Sequence, residues 1–191
     1  MNILTLLGSP RKNGNTAGVL KMVEKELSAR HQVERLAISS MKVNGCLGCK
    51  ACQKVADQPG CVQKDDAAAI FERMMAADAV IYSSPLYCWD FSSQMKALID
   101  RHFCLVTGYG TANHRSLIAD KPTALLVTCG GPVKGNADVI QTVFDRVCQY
   151  GRARAVNKTV IPFCTTPDAL KEDARAAARK LAGDVNGALR Q

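Results

Sequence analysis

Five short strand-like runs, each carrying apolar residues and followed by a stretch with apolar residues at helical spacing, divide the chain into strand–helix units. The runs fall at 2–7, 32–38, 79–82, 123–128 and 154–161, and the run at 79–82 is uninterrupted, as a strand buried on both faces should be. Helices are expected at 15–30, from Asp65 or Asp66 onward with Ile70, Phe71, Met74 and Met75 inward, at 92–103, at 137–150 and from 167 to near the end. Repeated strand–helix order leaves few topologies: a parallel sheet with helices on both faces, doubly wound. The connection after the second strand, 39–64, is long and irregular. A chain of 191 residues makes one such domain with an ample core.

Composition excludes several classes. No run approaches ~18 apolar residues, so no membrane span is expected. The apolar residues of the N-terminus precede its basic ones, the reverse of a signal peptide, and a cytoplasmic chain is expected. The net charge of +8 would permit nucleic-acid binding, but the basic residues are scattered and aromatics, at 5%, are not interleaved with them. An anionic cofactor, a phosphorylated pyridine nucleotide or an acidic redox partner suits that charge better.

The first strand breaks into Gly8-Ser9-Pro10-Arg11-Lys12-Asn13-Gly14-Asn15-Thr16 and then a helix. A strand–loop–helix turn aims backbone N–H groups and a positive helix end at one point, which is a phosphate site. Ser9, Asn15 and Thr16 add side-chain donors there, and Arg11 and Lys12 add charge. Five residues separate Gly8 from Gly14, one more than a Walker loop has, and Asn15 follows, so this is not a Walker loop. The dinucleotide pattern G-x-G-x-x-G is absent as well. In a doubly wound sheet the loops ending the first, third and fourth strands converge at the switch point. The second of these, Ser84-Pro85-Leu86-Tyr87-Cys88-Trp89, carries the only Trp, and flat apolar faces there suit a planar ring such as an isoalloxazine. The third, Cys129-Gly130-Gly131, permits close backbone approach.

Nine cysteines in a cytoplasmic chain are not a disulfide framework. Cys88, Cys104, Cys129, Cys148 and Cys164 are dispersed among apolar neighbours and read mostly as small buried hydrophobes. Cys46, Cys49, Cys52 and Cys61 are clustered. Zinc would use the same thiolates at a different spacing, a C-x-x-C redox pair would leave two thiols idle, and four metal-free thiols are a third reading. The three histidines have no metal or nucleophile spacing around them, and no Ser/His/Asp order or carboxylate pair suggests hydrolysis.

The loop 8–16, the later Ser84-Pro85-Leu86-Tyr87, and Gln94-Met95-Lys96-Ala97-Leu98-Ile99-Asp100-Arg101 together resemble the NADPH-dependent FMN reductase family. The resemblance covers residues 1–103 and continues through Gly130-Gly131. It implies a flavodoxin-like fold and an FMN cofactor, held by Ser9, Arg11, Asn13, Gly14, Asn15 and Thr16 at the phosphate and framed by Pro85, Leu86, Tyr87, Cys88, Trp89, Gly130 and Gly131 at the ring. It implies electron transfer from NADPH or NADH to a small acceptor such as a flavin, quinone or nitro compound, with the flavin doing the chemistry. Homodimers or homotetramers are typical of such proteins.

Cys46-Leu47-Gly48-Cys49-Lys50-Ala51-Cys52 with Cys61 resembles the compact motif of the iron–sulfur flavoproteins in that family. The resemblance implies a 4Fe–4S cluster on those four thiolates. The eight residues from Gln53 to Gly60 are a longer gap than the family usually has. An alternative is an electron carrier serving a ferredoxin-like redox protein. Another is a non-redox binding module on the same fold.

Overall fold

The computed structural model describes residues 1–166, 170 and 172–190. In chain order the strands are β1 (Asn2–Leu7), β2 (Gln32–Ala37), β3 (Ala79–Pro85), β4 (Val106–Thr107), β5 (Arg115–Ser116), β6 (Pro122–Thr128) and β7 (Arg154–Ile161). The helices are α1 (Asn15–Leu27), α2 (Ala67–Ala76), α3 (Ser93–Asp100), α4 (Asp138–Tyr150) and α5 (Glu172–Ala188). Five strands form one parallel sheet in the order β2-β1-β3-β6-β7, the expected doubly wound, flavodoxin-like arrangement. The short β4–β5 ribbon is antiparallel and was not legible in the periodicity.

Alternation along β1 sorts the two faces of the sheet. Ile3 and Leu7 pack with Val19, Leu20, Val23 and Leu27 of α1 and with Leu181 and Val185 of α5. Leu4 and Leu6 face the other way, onto Ile70, Phe71 and Met74 of α2, Met95 and Leu98 of α3, and Ile140 and Phe144 of α4. Thr5 lies on the α1 side, fully buried, with its hydroxyl donating to Glu24 at 2.6 Å. The central strands β3 and β6 are buried along their whole length, while the edge strands β2 and β7 are only partly covered.

Several boundaries differ from expectation for local reasons. α1 stops at Leu27, where Ser28 turns its hydroxyl back onto the Glu24 carbonyl at 2.7 Å. β2 stops at Ala37 because Ile38 starts a 3-10 turn, Ile38–Ser40, that still buries its side chain. β3 runs on to Pro85, since Ser83 satisfies its hydroxyl on the Leu6 carbonyl at 2.8 Å and so tolerates burial. α3 ends at Asp100 and tightens into a 3-10 turn, Arg101–Leu105. The expected start of the last helix at Pro167 lies outside the described residues; α5 is described from Glu172. No helix among the described residues is long and apolar enough to cross a membrane.

Candidate functional site

The loops after β1, β3 and β6 meet at the carboxyl edge of the sheet, and backbone hydrogen bonds fix their spacing. Gly8 N–H donates to Ser83 O at 2.8 Å, and Leu86 N–H to Thr128 O at 2.9 Å. Ser92, the cap of α3, donates its hydroxyl to Gly8 O at 2.5 Å and accepts from Met95 N–H at 3.4 Å. Its own N–H donates to the Ser84 hydroxyl at 2.9 Å. Gly8 is required there: a Cβ would lie 2.8 Å from the Met95 Cβ. The strand order reverses between the paired strands β1 and β3, and this is the topological switch point, where such sheets bind ligands.

The start of α1 fits an anion. Gly14 is its N-cap and brings no side chain, so the leading N–H groups have no side-chain acceptor, and no acidic residue occupies the first turn. Arg11, Lys12 and Asn13 stand exposed above it. The side-chain donors expected here are partly engaged within the protein. Ser9 is buried and folds its hydroxyl onto Arg11, accepting from its N–H at 3.2 Å and donating to its carbonyl at 3.1 Å. Asn15 gives its amide N–H to Cys164 O at 2.9 Å, and its Oδ1 is buried without a partner. Thr16 pairs with Thr128 at 2.7 Å; two hydroxyls sharing one hydrogen bond leave one O–H for a further acceptor. The donors left to a phosphate are therefore the helix N–H groups, that O–H and the guanidinium of Arg11.

Beyond Pro85 and the half-buried Leu86, Tyr87 and Asp90 pair through both backbone groups at 3.1 and 3.0 Å around Cys88 and Trp89. Both turn residues have left-handed backbone, φ 48° and 64°. For residues with a Cβ this costs roughly 1–2 kcal/mol each, so the surrounding contacts must hold the turn. The turn displays Trp89, 56% exposed, and Tyr87, 43% exposed, at the rim instead of over the core. Cys88 is exposed too, so the packing reading fails for that thiol: the tight turn points it away from the core. Cys104, Cys129, Cys148 and Cys164 are buried as expected. Opposite the turn, Gly130 lies against Thr165 and Gly131 against Asn136. The loop after β7, which the sequence reading did not assign to the site, closes this side. Cys164 N–H donates to Cys129 O at 2.8 Å, and Phe163 N–H to Gly131 O at 3.4 Å.

The clustered cysteines lie on the long connection after β2, against the end of α3. Cys46, Cys49, Cys52 and Cys61 line one small hollow of about 20 Å³, together with Cys104, Arg101, Gln63 and Phe103. That volume is one water's worth, and Cys46 and Cys49 sit on exposed, irregular backbone. Among the described residues no three His, Cys, Asp or Glu side chains are arranged to hold a metal ion. The donor chemistry nevertheless fits a thiolate-ligated group: four free thiols from one short segment and one return arm face the same hollow. Burial, with Cys61 and Cys52 nearby, pushes the Cys104 thiol up to about 12, which keeps it a neutral packing group.

The sequence reading missed an ion pair under this hollow. Asp65, expected as a helix cap, does accept from Ala67 N–H at 3.2 Å, but its carboxylate is wholly buried against Arg101 at 2.5 Å. Burial pushes the Asp65 carboxyl upward; the hydrogen bonds from Arg101, Asn44 and Ala67 with the Arg101 charge outweigh it and hold it below the usual carboxylate value. Arg101 also donates Nη2 to Cys61 Sγ at 3.3 Å. An Arg just past the end of an amphipathic helix was the one sequence signal available, and it carries no spacing rule.

Known proteins place the chain. An iron–sulfur flavoprotein of Archaeoglobus fulgidus is 37% identical over 132 residues, covering 69% of this chain and 56% of that protein. The chain thus spans little more than half the length of that relative. An iron–sulfur flavoprotein of Methanosarcina thermophila is 32% identical over 152 residues, 79% of this chain and 75% of that one. In three dimensions, an NAD(P)H:quinone oxidoreductase from Methanothermobacter marburgensis shares the fold, with a TM-score of 0.74 over 97% of this chain and 95% of that one at 22% identity. The family model for NADPH-dependent FMN reductases matches residues 1–161, and the chain belongs to that family.

Proposed function

We propose that the chain binds FMN at the switch point and passes electrons from NADPH or NADH to a small acceptor such as a flavin, a quinone or a nitro compound. The carrying observation is the uncapped, acid-free start of α1 under Arg11 and Lys12, on the same edge as the displayed Tyr87 and Trp89. FMN, when bound, supplies the hydride and electron chemistry. The protein's part is to place it. Backbone N–H groups of α1 and the spare O–H of the Thr16–Thr128 pair take the phosphate, and Arg11 balances its charge. Tyr87 and Trp89 offer apolar faces to the ring and keep water from it, and the strap from Cys164 to Asn15 and Cys129 stiffens the far wall. No side chain is assigned an acid–base role.

The test is steady-state oxidation of NADPH or NADH by the FMN-loaded chain with a soluble quinone. Continuous turnover is expected. FMN reduction that stops after one equivalent would overturn the enzyme reading in favour of an electron carrier.

That second reading is favoured by the four thiols on one hollow and by the relatives named as iron–sulfur flavoproteins. In it, a 4Fe–4S cluster held by Cys46, Cys49, Cys52 and Cys61 supplies one-electron chemistry when present, and a ferredoxin-like protein is the partner. Irregular backbone at 41–50 lets Cys46 and Cys49 adjust, while Cys52 and Cys61 are held by their surroundings.

A further inference from the structure

Arg101 is 1% exposed, in a chain whose other arginines lie at or near the surface. Its Nη1 donates to Asp65 at 2.5 Å and to Asn44 O at 3.4 Å, and its Nη2 donates to Cys61 Sγ at 3.3 Å. Its Nε is buried with no partner. Asp65 is held in turn by Asn44, whose backbone N–H donates to it at 2.9 Å and side-chain amide at 3.2 Å. This network ties both arms of the cysteine connection, at Asn44 and at Cys61, to the end of α3. It also answers the long gap before Cys61: the return arm is fixed by a guanidinium on its sulfur, whatever the length of the loop from Gln53 to Gly60.

A buried cation lining a hollow of thiols, with one N–H unspent, is organised for anionic sulfur. Asp65 takes Nη1 while Nη2 is given to the Cys61 sulfur, so the cation is shared between the carboxylate and the thiol side of the hollow. We propose that Arg101 is a positioning residue for the cysteine site: it holds Cys61 in place and offsets the negative charge of a thiolate-ligated iron–sulfur group, with Asp65 setting how much of that charge is felt. The inference rests on the cluster reading above. Adding an electron to such a group adds a negative charge, which a nearby cation stabilises. Removing Arg101 should therefore make reduction harder, and removing Asp65 should make it easier.

The experiment is anaerobic reconstitution of the full chain with ferrous iron and sulfide, followed by iron analysis and a redox titration of the cluster signal. FMN binding serves as the check on folding. Arg101→Gln is expected to lower the midpoint potential and Asp65→Asn to raise it, while Arg101→Lys, which keeps the charge, stays nearer to wild type. Opposed shifts are a signature that a merely structural pair would not give. Unchanged potentials in both variants, shifts in one direction, or iron lost from all three variants while FMN still binds would overturn the inference and leave the wild-type cluster standing. A wild-type chain that takes up FMN but no iron would overturn the cluster reading, and this inference with it.

Discussion

Replacing Gly8 by Ala is a severe perturbation for one methyl group. The backbone at Gly8 is not left-handed, so Ala can adopt it. By chain entropy alone the substitution would stabilise the fold by about 0.4–1 kcal/mol. Packing reverses the sign: the new Cβ would stand 2.8 Å from Met95 Cβ and 3.1 Å from both Met95 Cε and Ser92 Oγ. The first of these is the rooted atom of a fully buried helical residue, so β1 or α3 must move. Overpacking of this kind costs about 1–3 kcal/mol, and the Ser92–Gly8 hydrogen bond is strained with it. The net expectation is destabilisation of roughly 1–2 kcal/mol, seen as a lower urea midpoint at unchanged slope. Because the shift lies where the phosphate loop leaves β1, FMN affinity should fall as well, tenfold for about every 1.4 kcal/mol the loop carries. Gly183→Ala, inside α5 with nothing within 4 Å of its Cβ, is the control and should stabilise by about 0.5–1 kcal/mol. A Gly8→Ala chain as stable as wild type, with FMN affinity intact, would refute the close approach of β1 to α3.

His102 is buried edge-on against Phe71 and Tyr82 at centroid distances of 6.0 and 5.8 Å, and burial lowers its pKa to about 4 despite the opposing charge of Asp100. A folded pKa below the unfolded 6.5 means the unfolded chain binds the extra proton. Stability is therefore full above pH 6.5 and falls by about 3 kcal/mol as pH drops to 4. In urea unfolding across that window His102→Gln should show a flatter pH profile; parallel profiles would remove His102 as the cause. Trp89, the only Trp, should be quenched when FMN binds, and unchanged emission would put the ring elsewhere. Arg11→Ala should weaken FMN by roughly tenfold or more, the weight of a charge-assisted contact, and riboflavin little; equal losses for the two would move the phosphate off this loop.

The strand–helix succession and the layering were legible because short apolar runs and 3.6-residue periodicity are one-dimensional records of burial. β7 was placed to the residue, and β3 was cut short only because Ser83 and Ser84 look like loop residues until Leu6 O is in place to accept from Ser83 and Ser92 N–H to donate to Ser84. The phosphate loop was legible as a location and less so as chemistry. Spacing marks Ser9, Asn15 and Thr16 as polar residues near a helix start, but not that Cys164 and Thr128, more than a hundred residues away, engage two of them. The Asp65–Arg101 pair, 36 residues apart in the chain, was invisible for the same reason. An aspartate before a helix reads as a cap, and only the return of the cysteine connection onto the end of α3 turns it into the anchor of a buried cation.

The most direct measurement is a titration of the FMN-free chain with FMN and with riboflavin, side by side, under identical salt. A site built on the start of α1 and Arg11 distinguishes the two by the phosphate alone. FMN should bind at least tenfold more tightly, with the difference shrinking as ionic strength rises. Equal affinities at low salt would contradict a phosphate site at the first loop, and with it the placement of the flavin at the switch point.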